Sequence, residues 1–431
     1  MNRRDFLSTS LSSAAAALAR QAAPAWVEAP MQAPNPNTRL VFAPPNMPIQ
    51  NDVIVCIFQR GGMDGLNAVI PYGEGSHYYD MRPSLGVLEP SSDNTQTIID
   101  LDGFFGLNPA LASLKNLWDD QALAIVHACG SPDPTHSHFD AMDYMERGTP
   151  GQKQIPTGWL ARHLQTVAVH NQSPFRAVGM GPILPASLHG PVSATALDSI
   201  AQFHLGGANP GAQITRFQNE LALLYAGGGM LDQEAVLTFQ AMQTLAKLNP
   251  TGYLPSNGAK YPIGVFGSGL MQIAELIKAN VGLEIATIDI GGWDTHVEEG
   301  AIQGQMPKLM GDLADGLLAF YTDLGDAFKN VTVVTMSEFG RRLQENGSGG
   351  TDHGHGNVMF VASKNINASK VYGKWPGLAP AQLVAPGDLQ VTTDYRTILA
   401  ELLSKRAANT QVANVFPGFD TTHNLEIFKT A

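Results

Sequence analysis

The chain has 431 residues, 44% of them hydrophobic and 15% charged, enough for one large α/β domain or two ordinary ones with a well-buried core. Its formal net charge of −12 argues against a general nucleic-acid binder, which carries a basic face. No uninterrupted apolar run is long enough to span a bilayer, so no transmembrane segment is expected in the mature chain.

The first element is a leader. "MNRRDFLSTSLSSAAAALARQAAPAW" pairs Arg3 with Arg4, follows with Phe6-Leu7 and a weakly hydrophobic Ala/Ser run, and offers Ala-x-Ala sites ending at Ala19 or Ala25. Residues 1–25 read as a twin-arginine signal, which makes the twin-arginine export machinery a partner and the periplasm or extracellular space the destination. That route carries folded proteins and suits a cofactor acquired beforehand. Residues 26–50 are Pro- and Ala-rich and read as an extended linker.

Residues 51–431 then alternate apolar strands with helices. "DVIVCIFQRGGMDGLN" reads as a buried parallel strand ending in a ligand-facing loop. "ALAIVHACG" is a second strand and leads through "SPDPTHSHF" into the helix "FDAMDYMERG". "PFRAVGMG" is a third. A helical insertion around 209–248 holds two amphipathic segments. "SGLMQIAELIKANVGLEIATIDIGGWDTH" reads as helix, strand and polar loop. "MPKLMGDLADGLLAFYTDLGDAF" is a helix before the strand "VTVVTMSEFG", and "GNVMFVAS" is another strand. "TTDYRTILAELLSKR" closes the chain as a capped helix. The order predicts a mostly parallel, doubly wound α/β sheet between helices, with ligands at the carboxyl ends of its strands. Cys56 and Cys129 lie in apolar runs, match no zinc spacing, and read as small buried hydrophobes.

The polar residues fall just past those strands: Asp64; then His136, Ser137 and His138; then Asp294 and His296; then Glu338, followed by Asp352, His353 and His355 in "GGTDHGHGN". These loops hold five of the twelve histidines. Parallel strands would bring all of them to one edge, as a bound metal requires. Asp294 and His296 are two apart and point the same way in an extended segment. Ser137 opens "SHFD" and reads as a helix N-cap, a position compatible with a nucleophile favoured by the helix N-terminus. Arg60 and Arg341 suit an anionic substrate, with Asn67 in the first loop beside them.

Twin-arginine "RRDFL", "RGGMDGLN", "SHFDAMDYMERG", "GGWDTH", "SEFGR" and "TDHGHG", in that order, resemble the bacterial domain of unknown function 1501 family. That family is similar in turn to the alkaline phosphatase–sulfatase superfamily, which implies an alkaline-phosphatase-like fold and a two-metal hydrolytic site. By that resemblance Asp64 is an early metal ligand, Ser137 the nucleophile, Asp294 and His296 an acid–imidazole pair, Glu338 the late strand-terminal acid, and His353 or His355 the final ligand. Two departures stand out. One residue, not three, separates Asp294 from His296, and Phe339 stands where the late motif carries a histidine. One metal is then weakly held, or supplied from Asp352 and His353. "CGSPDP" lacks the spacing and arginine of the sulfatase signature.

The expectation is therefore an exported hydrolase of small anionic esters, phosphate esters foremost. Ser137 or a water attacks, and His136 or His138 protonates the leaving group. Mixed nitrogen and oxygen ligands favour one or two divalent ions, zinc or manganese, over calcium or magnesium. The alternative is a catalytically inactive binding or envelope-assembly protein on the same fold, acting with an envelope protein partner.

Overall fold

A computed structural model describes residues 52–430, apart from 168–170, 172 and 203–251, of which only Leu245 and Leu248 are described. The expected export signal, linker and helical insertion lie outside these residues.

In chain order the strands are β1 (Val53–Arg60), β2 (Val69–Ile70), β3 (Ile99–Asp100), β4 (Gly106–Leu107), β5 (Leu123–Gly130), β6 (Ala177–Met180) and β7 (Thr195–Leu197). They continue with β8 (Ile285–Gly291), β9 (Val331–Met336), β10 (Arg341–Glu345), β11 (Thr351–His353), β12 (Asn357–Ala362), β13 (Val371–Tyr372) and β14 (Thr393–Asp394). Nine of them form one sheet in the order β13-β5-β12-β9-β1-β8-β6-β7, with β14 also against β5. β1 runs parallel to both β8 and β9, with Cys56 opposite Thr287 and Val334. β12 alone among these strands runs antiparallel, between β5 and β9. The fold is a mixed α/β one with a large, mostly parallel sheet, as the strand–helix alternation predicts.

The strand β1 shows why. Its apolar run is buried from Val53 to Gln59 because both faces of the sheet are covered. Val53, Val55 and Ile57 point into one core with the helices Val265–Lys278 and Gln305–Leu324. Ile54, Cys56 and Phe58 point into the other, with His138–Arg147, Trp159–Thr166 and Tyr395–Arg406. The period-two alternation of a strand thus assigns successive residues to opposite layers. On the helix Gln305–Leu324 the residues Met306, Met310, Leu313, Leu317, Phe320 and Leu324 repeat at three- and four-residue steps and form its buried stripe. Asp394 caps the last long helix by accepting from the Arg396 amide at 2.9 Å. Cys56 and Cys129 are buried free thiols, as expected.

Because β1, β5, β8 and β9 point the same way, the loops after them leave one edge of the sheet. The antiparallel β12 enters at that same edge, and "TDHGHG" is the segment that delivers it. Five neighbouring strands (β5, β12, β9, β1, β8) thus feed one rim.

Candidate metal centre

Three imidazoles converge on one carboxylate oxygen at that rim. Asp294 Oδ1 lies 3.1 Å from His296 Nε2, 3.1 Å from His353 Nε2 and 3.5 Å from His138 Nε2. His296 Nε2 and His353 Nε2 are 3.0 Å apart. Each of His138, Asp294 and His353 can offer one ligand atom with all three inside 4.8 Å of one another. Donors about 2.0–2.1 Å from a tetrahedral zinc sit roughly 3.3 Å from each other, so the measured separations suit a shared ion.

The far side of each ring fixes which nitrogen faces inward. His138 Nδ1 lies 2.8 Å from Glu338 Oε1, His296 Nδ1 3.3 Å from Asp352 Oδ1, and His353 Nδ1 2.9 Å from the His136 carbonyl. A carboxylate or carbonyl oxygen only accepts, so each Nδ1 carries a proton and each neutral ring turns a lone pair inward at Nε2. Four acceptor atoms then face one another, with one donor from elsewhere in the fold, Arg341 Nη2, at 2.8 Å from Asp294 Oδ1. His138 Nε2 is buried and has no hydrogen-bond partner among the described residues. Such a set calls for a cation.

The charge states agree. Burial works against the Asp294 carboxylate, but the hydrogen bond and charge of the Arg341 guanidinium hold its pKa down to about 2. Burial, aided by the charge of Arg341, pushes the His353 pKa below the ordinary imidazole value and keeps the ring neutral. His138 is the exception: the hydrogen bond to Glu338 raises its pKa and favours the protonated ring, whose Nε2 proton a bound cation would displace.

Glycines make the convergence possible. A Cβ on Gly61, which sits at φ +123°, would lie 2.5 Å from the Asp294 amide nitrogen. One on Gly350 would collide with Thr295 and His296 backbone, and one on Gly354 with Arg341 backbone. The glycines of "GGTDHGHGN" let two backbones touch so that His353 can reach His296. Phe339, 3% exposed, lies under the rings, its centroid 4.9 Å from that of His138 and 4.6 Å from that of His353. Where the resembled motif carries a histidine, this chain has an apolar floor, and His138 supplies an imidazole from the start of the helix that follows β5.

Several expected ligands stand elsewhere. Asp64 lies outside the cluster: it is fully buried, caps its own short helix by accepting from the Leu66 and Asn67 amides, and forms an ion pair with the equally buried Arg82. Glu338 stands behind His138; its Oε1 also accepts from the Gly61 amide at 2.7 Å. Asp352 stands behind His296 and accepts from Asn346 at 3.2 Å. His355 Nε2 turns away to the Ser131 carbonyl at 2.8 Å. Ser137 is an exposed N-cap whose hydroxyl accepts from the Asp140 amide, with no base on it among the described residues.

The expected substrate contacts differ too. Arg60 is spent on Asp289 and Glu146. Asn67 is buried and donates to the Gly300 carbonyl. Arg341 is fully buried and ties the carbonyls of Gly61, Gly62, Trp293 and Thr351 together, so it fixes the loops and is not free to clamp a substrate. The chain's reading missed Arg82, Asn346, Arg342 and Asp388. Asp388, 2% exposed, lies 3.1 Å from His136 Nε2. "PGDLQ" carries no motif that would single it out.

The class these features define is an α/β protein with a candidate divalent-metal centre at the carboxyl edge of a mostly parallel sheet. The family model of a protein of unknown function, DUF1501, matches residues 51–415, and the chain belongs to that family. No curated protein matches it. Among solved structures it is similar to the lipoteichoic acid synthase LtaP from Listeria monocytogenes, at 7% identity and TM-score 0.33 over 80% of this chain and 74% of that one. It is also similar to the C-terminal periplasmic domain of EcEptC from Escherichia coli, at 10% identity and TM-score 0.36 over 87% of this chain and 88% of that one. The complex of that domain with Zn gives 10% identity and TM-score 0.34, over 88% and 92% of the two chains. These likenesses are distant, and the chain's own side chains carry the chemistry of the site.

Proposed function

We propose that this chain is an exported, metal-dependent hydrolase of anionic esters, phosphate esters foremost. One observation carries the reading: three imidazole Nε2 atoms lie 3.1–3.5 Å from Asp294 Oδ1, with the ring protons committed outward. His138, His296, His353 and Asp294 would hold a divalent ion, zinc before manganese, since imidazoles outnumber carboxylates in the set. When bound, such an ion supplies Lewis acidity toward an ester oxygen and makes a water a better nucleophile.

The chain's own groups do the rest. Glu338, Asp352 and the His136 carbonyl orient the rings and fix their tautomers. Phe339 excludes water beneath them. His136, held by Asp388 and bordering His353 through its carbonyl, stands where it can pass a proton to the leaving alcohol. A water as nucleophile fits better than Ser137, whose hydroxyl is engaged as a helix cap. Export through the twin-arginine route fits "RRDFL", and no helix among the described residues is long and apolar enough to cross a membrane.

The test is elemental analysis of the natively exported protein, followed by a chromogenic panel of phosphomonoesters and phosphodiesters with wild type and Asp294→Asn. About one or two zinc or manganese ions per chain, and turnover lost in the variant, is the expected result. Protein that purifies without metal and melts identically with and without chelator removes the metal centre. Loaded protein inert toward every ester removes the hydrolase and leaves a binding role.

A further inference from the structure

Beside the metal centre runs a groove of about 650 Å³ between β10 and the loop from Pro380 to Gly387. That volume is in the range of small-molecule sites. Its inner end meets the back of the centre, because Asp352 lines the groove and holds His296 Nδ1, on the outer side of that ring, at 3.3 Å. Met81, Leu343, Leu383, Val384 and Pro386 give it apolar walls, and Met81 and Val384 remain 37% and 40% exposed.

Arg342 stands at the same end, with no hydrogen bond from its guanidinium to any of the described residues. Its Nη1 is 3.8 Å from Asp352 Oδ2 and its Nε 3.8 Å from Asp388 Oδ1, both beyond hydrogen-bond length. That Nε is buried and has no partner. Arg341 and Arg82, its buried neighbours, are saturated by carbonyls and carboxylates. A buried guanidinium nitrogen without an acceptor costs free energy, and an anionic oxygen would relieve it.

From these features we infer that the groove receives the alcohol portion of the ester while Arg342 takes an anionic oxygen at its inner end. This rests on the hydrolase reading and narrows it. Glu345 is occupied by Ser84 and Leu85, but it and Asp352 keep carboxylates along the groove, and these repel a second anionic group. The substrate class is thus an anionic ester of an uncharged, partly apolar alcohol, not a polyphosphate.

The experiment measures binding of hexylphosphonate and methylphosphonate, which have no ester bond to cleave, to the zinc-loaded full chain by calorimetry. Turnover of hexyl phosphate and methyl phosphate is measured in parallel. Wild type binds the hexyl probe about tenfold or more tightly than the methyl one, as burying several methylenes would give. Val384→Asp erases that difference. Arg342→Gln weakens both probes about tenfold at an unchanged melting temperature. Equal affinity for the two probes in wild type overturns the groove, as does a Val384→Asp variant that keeps the difference. Chain-length-dependent binding without turnover instead sinks the hydrolase reading and leaves the groove as a binding subsite. Turnover of both esters with no chain-length preference does the reverse.

Discussion

His138 Nδ1 and Glu338 Oε1 lie 2.8 Å apart although 200 residues separate them in the chain. The carboxylate is fully buried and accepts from the Gly61 amide as well, so three loops of the rim meet on one oxygen. Glu338→Gln keeps the shape and can still accept one hydrogen bond, but it loses the charge behind the imidazole. Zinc affinity is expected to fall about 10–100-fold, with the circular-dichroism spectrum unchanged. Competition titration against a chromophoric chelator measures it.

His353→Ala removes the ring that touches both Asp294 and His296. Metal content by mass spectrometry is expected to drop to background. Asp352→Asn, which only frees the back of His296, should retain metal at reduced affinity. The order of the two losses separates a ligand from a group that orients one.

The glycines give a third expectation. Gly350→Ala places a methyl group into the Thr295–His296 backbone and forces the β10–β11 hairpin away from His296. Overpacking of this kind costs about 1–3 kcal/mol, seen as a lower denaturant midpoint, and metal affinity should fall with it. Gly347→Ala, where nothing lies within 4 Å of the added carbon, serves as the control.

The pair Asp64–Arg82 is buried on both sides. Arg82→Met leaves a carboxylate without its partner in the core and should destabilise the fold by about 3–5 kcal/mol in urea unfolding. The metal site itself would be intact in whatever protein remains folded.

Glu299 supplies the pH dependence. It is fully buried, and burial first, then the charge of Asp64, pushes its pKa up from 4.5 to about 8. The folded state therefore holds a proton that the unfolded chain gives up. Glu299 contributes its full stability below pH 4.5, and that contribution is lost as pH rises through about 8. Each unit is worth about 1.4 kcal/mol at most. Glu299→Gln is neutral throughout, so its melting temperature should fall less than that of wild type between acid and alkaline buffers. Equal falls in the two proteins would count against the buried neutral acid.

Much was legible in the residues alone. The apolar runs at 53–60, 123–130, 285–291 and 331–336 announced buried strands, because a strand covered on both faces must be apolar throughout. Asp294, His296 and His353 were legible as ligand candidates because they follow such strands in loops rich in glycine. Their partners were not. Whether Asp64 meets an ion or Arg82 depends on a short helix and a crossing of chains that no local pattern encodes. Arg341 and Arg342 are adjacent and chemically identical, yet one is sealed under four carbonyls and the other faces a groove.

The sequence by itself determined the alternation of strand and helix, the family, and the set of polar side chains at strand ends, since hydrophobic period and turn chemistry are local. Only the tertiary structure decided which of those side chains share a centre. The antiparallel entry of β12 between β5 and β9 brings His353 to the rim that β8 leaves, and sheet order is set by packing across hundreds of residues. The direction of each imidazole was decided the same way, by acceptors that arrive from other strands.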